Sequence, residues 1–144
     1  MKKAIFGVVF TACLGFSESS HHSNHIALFG GVTVHHGHSY PSLGLDYERY
    51  LSKQVGIVAL GELINGPELQ QVYGLGLGYH PIAPLKIALI PAMEFAHGHS
   101  EFLLRLNSEY AFHVGHWSVS PSVSVDYVAE EFVYVAGVAI GLGF

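Results

Sequence analysis

The sequence predicts an all-β fold, an eight-stranded antiparallel up-and-down transmembrane β-barrel that follows an N-terminal signal peptide. Three observations support this prediction. Apolar and small or polar residues alternate along segments of about ten residues, the length with which a tilted strand crosses a bilayer. Only 12% of the 144 residues are charged against 50% hydrophobic, which is low charge for a soluble protein of this size. Helical periodicity is sustained nowhere, and prolines interrupt the longest apolar runs.

The chain begins with the predicted signal peptide. Two lysines precede an apolar run at 4–16, which is too short to cross a bilayer as a helix. Small residues favour cleavage after Ser19, so residues 1–19 are the signal peptide and residues 20–144 the barrel domain. A second interpretation is a lipoprotein processing site that ends at Cys13 and would attach lipid to it. If the signal peptide is removed instead, the one cysteine leaves with it and the mature chain has no disulfide.

Eight strands are predicted after the signal peptide. The last one shows the alternation most clearly, since large apolar side chains take the even positions from Phe132 to Phe144 and mostly small ones the odd positions. The seventh sets Trp117 and other apolar residues against four serines and Asp126. The predicted spans are 25–34, 41–51, 54–63, 71–80, 85–96, 101–113, 116–128 and 132–144. The polar or small face is expected inside the barrel, and the large apolar face outside.

A soluble β-sandwich or lipocalin-like barrel is the alternative to a membrane barrel, because its strands also alternate. Two features favour the membrane barrel. Aromatic residues of the apolar face gather near both ends of the strands, as interfacial girdles do. The opposite face is rich in Gly, Ser and Ala, and it lacks the volume of a soluble core. Closure follows because lipid cannot satisfy the hydrogen-bonding groups of an open strand edge.

The interior face is predicted to carry a network of charged side chains. Its acids outnumber the inward-facing bases, Lys86 and Arg105. Arg105 is expected to be the hub, because a guanidinium can serve two carboxylates and Glu94 lies diagonally across the hairpin from it. The predicted network comprises Asp46, Glu48, Glu62, Glu94, Arg105, Glu109 and Asp126. In an eight-stranded barrel such side chains fill the lumen, so a plugged interior is expected. A gated path for ions or protons is the other interpretation.

The strict alternation and the terminal Phe144 resemble the small outer-membrane β-barrels of Gram-negative bacteria, namely the OmpA transmembrane domain and OmpX-like proteins. The resemblance implies a monomer in the bacterial outer membrane, in contact with outer-membrane lipid and lipopolysaccharide. It also implies that the barrel-assembly machinery recognises the C-terminal strand ending at Phe144, and that both termini are periplasmic. The outer loops are then 35–40, 64–70, 96–100 and 129–131, and the inner turns 52–53, 81–84 and 114–115.

Histidine is frequent, with 11 residues in the chain. Two predicted outer loops each contain a His-Gly-His sequence, and imidazole is a ligand for Zn²⁺, Ni²⁺ or Cu²⁺. The sequence therefore suggests a metal site formed by His36, His38, His97 and His99, and a separate one at Ser20 to His22. The other interpretation is that these histidines are hydrated loop residues, or bind lipopolysaccharide phosphate when protonated, with no cofactor bound.

Two further functional classes are disfavoured. Lipid A deacylases share this architecture and carry a His-x-Ser with a carboxylate near the outer rim. Here the His-Trp-Ser at 116–118 is predicted at the inner end and points inward, while the His-Ser-Glu at 99–101 has a different spacing. Nucleic-acid binding is disfavoured by 6 Lys and Arg against 11 Asp and Glu. The sequence predicts a non-enzymatic barrel without catalytic residues, in a structural or surface-interaction role.

Overall fold

The computed structural model describes residues 23–144. The strands are β1 Asn24–His35, β2 His38–Tyr50, β3 Val55–Asn65, β4 Leu69–Ile82, β5 Leu85–Ala96, β6 His99–Tyr110, β7 Phe112–Val114, β8 Trp117–Val128 and β9 Glu131–Gly143. Within the described range, no helix is long and apolar enough to cross a membrane. The predicted signal peptide, Cys13 and the suggested site at Ser20 to His22 lie outside the described residues, so the domain boundary at residue 19 stays a prediction.

Antiparallel pairing closes the strands into a barrel. From β1 to β6 each strand pairs with the next along the chain, and β8 pairs with β9. β9 pairs with β1, and β6 pairs with both β5 and β8. β7 follows β6 after a break at Ala111, whose amide donates to the carbonyl oxygen of Pro84. Because β6 and β7 together make one strand of the wall, the predicted eight-stranded antiparallel barrel is confirmed.

The two faces of the wall are divided as the sequence predicts. In β9 the side chains of Phe132 and Ile140 are exposed, whereas Val135 is buried. In β8 all four serines and Asp126 are buried, whereas Trp117 is exposed. An apolar outside around a polar inside is the reverse of a soluble protein. The barrel therefore has the surface of a protein set in lipid.

The turns at one end of the barrel are shorter than predicted. His36-Gly37, His97-Gly98 and Ala129-Glu130 have positive φ at both residues, as in type I′ hairpins. A two-residue turn lets the flanking strands pair up to the turn itself, so β2 begins at His38, before its predicted start. The fourth connection at this end is 66–68. We call this end, which lies opposite the start of β1 and the end of β9, the loop end.

Packing across the seam between β1 and β9 depends on two facing glycines. Gly31 and Gly137 are paired, and a Cβ on Gly31 would lie 2.2 Å from the carbonyl oxygen of Ala136. The ring of Phe29 covers both glycines, with ring carbons 2.7 Å from each ideal Cβ position. The interior beside the seam is therefore filled by one aromatic ring, which needs the absence of side chains at both positions.

Candidate functional site at the loop end

The half of the interior nearer the loop end contains an ion network around Arg105. Its Nε and Nη2 donate to the two carboxylate oxygens of Asp126 at 2.6 and 2.7 Å, and its Nη1 donates to Glu62 at 2.5 Å. All three side chains are buried. Arg105 and Asp126 are direct cross-strand partners on β6 and β8, and Glu62 reaches Arg105 from β3. One guanidinium therefore bridges two carboxylates in the closed barrel.

The predicted contact between Arg105 and Glu94 does not form. Among the described residues, the hydrogen bonds of Arg105 go to Glu62 and Asp126. Glu94 lies opposite Glu101 across β5 and β6 and is only partly buried. The prediction considered neighbours within the β5–β6 hairpin, whereas Asp126 pairs with Arg105 from the next strand of the wall and Glu62 reaches it from β3 across the lumen.

A second ion network occupies the half of the interior farther from the loop end. Nζ of Lys86 lies 2.5 Å from Oε2 of Glu109 and 3.9 Å from Oε2 of Glu48. Oε1 of Glu48 lies 2.7 Å from Nε2 of His80. The predicted network omits His80, although this residue continues the inward-facing positions of β4. Asp46, also predicted, is partly buried and lines a small cavity between the two networks.

Between the two networks the interior is nearly full. Nδ2 of Asn107 donates to the hydroxyls of Ser122 and Ser124 at 2.9 and 2.8 Å. The cavity at this level has a volume of about 20 Å³, which is room for about one water molecule. The lumen is therefore closed between Arg105 and Lys86.

Beyond the Arg105 network the barrel opens into a cavity of about 500 Å³ at the loop end, which we call the mouth. Its apolar lining includes Ile64, Val72, Leu103, Val128 and Val133. Its polar lining includes His35, Glu68, Glu94, His97, His99, Glu101 and Glu131. This volume lies in the range of small-ligand pockets, and a partly apolar lining with several converging polar groups is typical of them. The mouth is the candidate functional site.

Two histidines and a glutamate meet on the rim of the mouth. Nε2 of His35 and Nε2 of His36 lie 2.9 and 3.0 Å from the same atom, Oε2 of Glu131. The centroids of the two imidazole rings are 4.1 Å apart. Glu131 is exposed on the rim, at the first position of β9, and the hydrogen bond from His35 lowers the pKa of its carboxyl. We call His35, His36 and Glu131 the rim triad.

The suggested metal site does not assemble from its four histidines. His97 pairs with Oε1 of Glu68 at 2.8 Å, and among the described residues neither His38 nor His99 belongs to a group of three possible metal ligands. Within residues 23–144, the rim triad is the group of three possible metal ligands, with its ligand atoms within 4.8 Å of one another. The type I′ turns explain the difference, because a two-residue turn fixes side-chain directions that a flexible loop would leave free.

Sequence reasoning missed two members of the rim triad, His35 and Glu131. A signal for both was present in the strand pattern. His35 continues the inward-facing positions of β1 occupied by Phe29 and Thr33, and Glu131 precedes the inward-facing Val133 of β9. The third member, His36, belongs to the suggested set but meets different partners.

The His-Trp-Ser at 116–118 lies at the end opposite the loop end. Ser118 is buried with 2% exposure, and its hydroxyl lies 3.1 Å from Nε2 of His25. Neither residue lines the mouth or the 20 Å³ cavity. This Ser-His pair, which the sequence did not suggest, is packed in the interior away from both cavities.

No protein-family model matches the sequence, and no curated protein matches it. Solved structures do share its architecture. The N-terminal β-barrel domain of Pseudomonas aeruginosa OprF is similar, with a TM-score of 0.61 and 14% identity over 84% of this chain and 96% of that chain. The outer membrane protein Ail of Yersinia pestis is similar with a TM-score of 0.55 and 9% identity, over 84% and 98%. The chain has the fold of the small outer-membrane β-barrels.

The predicted outer-membrane barrel architecture is thereby confirmed. A de novo designed transmembrane β-barrel is also similar, with a TM-score of 0.59 and 10% identity over 87% of this chain and 99% of that chain. Because a designed barrel shares the architecture of natural ones, the architecture alone carries no particular activity. The features particular to this outer-membrane barrel are its interior and its mouth.

Proposed function

We propose that this outer-membrane barrel is a closed, non-enzymatic surface protein that interacts with its ligand or partner at the mouth. The observation that carries the proposal is the contrast between the interior and the loop end. The two ion networks leave about 20 Å³ between them, whereas the mouth measures about 500 Å³. A small barrel filled by side chains has no channel for solutes, so its function lies at its surface.

The chemistry of the mouth favours interaction over a purely structural role. Imidazoles and carboxylates meet in pairs around the rim, at His97 with Glu68 and at the rim triad. These exposed pairs contribute little to stability, because water and salt screen the attraction between charges at a surface. Their concentration around a partly apolar cavity is better explained by binding.

A non-enzymatic role is supported by the positions of the candidate nucleophiles. Ser118 is buried beside His25, away from the mouth. Ser100 occupies the outward-facing parity of β6, whereas its neighbours His99 and Glu101 line the mouth. The residues at 99–101 therefore do not converge as a nucleophile with its base.

The belt of exposed apolar residues supports contact with outer-membrane lipid and lipopolysaccharide. Aromatic pairs lie near both ends of the wall, Tyr127 with Phe132 towards the loop end and Tyr110 with Phe112 towards the opposite end. Tyrosine and tryptophan rings favour the two interfaces of a bilayer. We also propose that the barrel is monomeric, with periplasmic termini, and that the barrel-assembly machinery recognises the strand ending at Phe144.

Electrical conductance tests the closed lumen. The purified barrel, reconstituted in a planar bilayer, is expected to give no stable current steps, because the networks of Arg105 and Lys86 block the interior. A general porin in the same bilayer provides the positive control. Regular open-channel steps from the wild-type barrel would overturn the proposal of a closed protein.

Thiol labelling of intact cells tests the exposure of the mouth. Glu68→Cys places a thiol at the loop end, and Lys53→Cys places one in the connection at the opposite end. A membrane-impermeant maleimide is expected to label Glu68→Cys on intact cells and Lys53→Cys only after lysis. The parent chain, which carries Cys13 alone, is the blank. Labelling of Lys53→Cys in preference to Glu68→Cys would invert the orientation and refute a surface role for the mouth.

A further inference from the structure

We propose that the rim triad of His35, His36 and Glu131 binds a divalent transition-metal ion, with Zn²⁺ the best fit. This inference adds to the proposed function the class of ligand that the mouth binds. It rests on the proposed function in one respect, namely that the mouth is the interacting surface. Two imidazole nitrogens and one carboxylate oxygen form a zinc ligand set. Three protein ligands leave one position of the ion for water or for a donor atom of a partner.

The distances within the rim triad suit a single ion. Atoms bonded to tetrahedral Zn²⁺ at about 2.0 to 2.2 Å lie about 3.4 Å from one another. In the structure, Nε2 of His35 and Nε2 of His36 lie 2.9 and 3.0 Å from Oε2 of Glu131. The three side chains are 36%, 64% and 46% exposed, respectively. A small rotation of these accessible side chains therefore admits the ion while the strands stay in place.

The backbone of the turn brings two consecutive histidines to one side. Successive side chains of a regular strand point to opposite faces, so His35 and His36 would not meet in one. His36 has a left-handed φ of 52°, which is uncommon for a residue with a Cβ. Its ring lies beside that of His35, with an interplanar angle of 39°. The type I′ turn thereby adds a second imidazole to the inward-facing one.

The second His-Gly turn of the loop end offers an internal contrast. His97 also has a left-handed φ, of 45°, and is followed by Gly98. Ala96 precedes His97, whereas His35 precedes His36. The second turn therefore supplies one imidazole and the first supplies two, and His97 pairs with Glu68. The same turn geometry thus yields a pair at His97 and a group of three ligands at His36.

The rim triad spans the seam of the barrel. His35 ends β1, His36 follows it, and Glu131 begins β9, the strand that pairs with β1. The two histidines are separated from Glu131 by 96 and 95 residues along the chain. An ion held by all three residues joins the first strand to the last. Because the unfolded chain does not hold these ligands together, binding should stabilise the closed barrel.

A Zn²⁺ titration of the folded chain in detergent micelles tests the site. The protein carries no histidine tag, and His21→Ala and His22→Ala are present in every sample so that these residues do not contribute. The parent is expected to bind one Zn²⁺ per barrel, and His35→Ala or Glu131→Gln to weaken binding by at least about tenfold. His113→Ala, an exposed histidine of β7 at the opposite end of the barrel, and Glu130→Gln are the matched controls, and both should bind as the parent does.

Two results would overturn the site: a parent that binds no more Zn²⁺ than His35→Ala, or a His113→Ala variant that loses as much affinity as Glu131→Gln. The heat-dependent gel shift of each variant shows that it is folded. Co²⁺ provides a second readout, since the visible absorption of the bound ion should be lost in Glu131→Gln and kept in Glu130→Gln. Conductance and labelling use neither metal nor these variants, so failure of the metal site is distinguishable from failure of the closed surface barrel.

Discussion

Arg105 and Asp126 lie directly opposite each other on β6 and β8 and share two hydrogen bonds inside the barrel. A guanidinium and a carboxylate joined in this two-pronged way fix an orientation as well as an attraction. The third bond of Arg105, to Glu62, brings in β3. One buried cation therefore connects three strands of the wall, and it does so on the strand that breaks a few residues later at Ala111.

Arg105→Ala should destabilise the barrel by about 3 to 5 kcal/mol, because removal of the cation leaves Glu62 and Asp126 as buried acids without a counter-charge. Lys53→Ala, in an exposed connection at the other end, should cost well under about 1 kcal/mol. Urea unfolding in lipid vesicles measures both values. The fluorescence of Trp117, the single tryptophan of the chain, reports the transition from its lipid-exposed position.

A charge-neutral triple variant separates buried charge from lost packing. Arg105→Met combined with Glu62→Gln and Asp126→Asn removes the charges while keeping similar volumes, so it should recover much of the stability lost in Arg105→Ala. Equal unfolding midpoints for Arg105→Ala and Lys53→Ala would instead show that Arg105 is not the centre of the interior network.

Gly31→Ala should destabilise the barrel, whereas Gly30→Ala on the same strand should not. A Cβ at Gly31 would meet the backbone oxygen of Ala136 and the ring of Phe29, whereas nothing lies within 4 Å of a Cβ at Gly30. Overpacking of this kind typically costs about 1 to 3 kcal/mol. The same urea experiment measures the difference. Equal stability of the two variants would mean that the seam adjusts more freely than its packing indicates.

The barrel should fractionate with outer membranes and migrate faster on a denaturing gel when it is not heated. A closed strand wall keeps all its edges paired, so detergent alone should leave it compact, while boiling unfolds it. The comparison is between heated and unheated halves of one sample. Recovery as a soluble periplasmic species after mild lysis would contradict the membrane location.

Zn²⁺ bound at the rim triad should raise the resistance of the barrel to urea, and this protection should fade in acid. Imidazole binds a metal only in its neutral form, so protons compete with the ion as the pH falls. The measurement is the unfolding midpoint with and without Zn²⁺ at pH 7.5 and at pH 5, for the parent and for His35→Ala. Protection of equal size in both proteins at pH 7.5 would assign the effect to other groups.

The alternation of inward-facing and outward-facing residues along each strand was the main structural signal in the sequence. This alternation correctly placed the serines of β8, Arg105 and Glu109 on the inward face, because a period of two requires only that one face of the strand meets lipid. It could not pair Arg105 with Glu62, which lies 43 residues earlier. That contact depends on how the closed wall brings β3 towards β6 across the lumen, and no local pattern encodes such a distance.

The turns were the other feature that the sequence left open. A His-Gly-His sequence suggests a flexible loop, yet the left-handed backbone conformation of His36 and Gly37 forms a two-residue hairpin turn. The composition of the mouth was therefore predictable, because its histidines and acids lie near strand ends. How these side chains group was not predictable, since a turn longer or shorter by one residue would change which imidazole faces Glu131.

The seam between β1 and β9 also constrains how the barrel can be built. The amide of Asn24 donates to the carbonyl oxygen of Phe144, and these residues lie 120 positions apart. Closing so long a loop directly is entropically unfavourable, but the separation becomes short once the strands between them have paired in order. The first strand therefore keeps an unpaired edge until the last one arrives. A chain that ended before β9 would leave that edge open, so the final segment of the chain decides whether every earlier strand can remain in the bilayer.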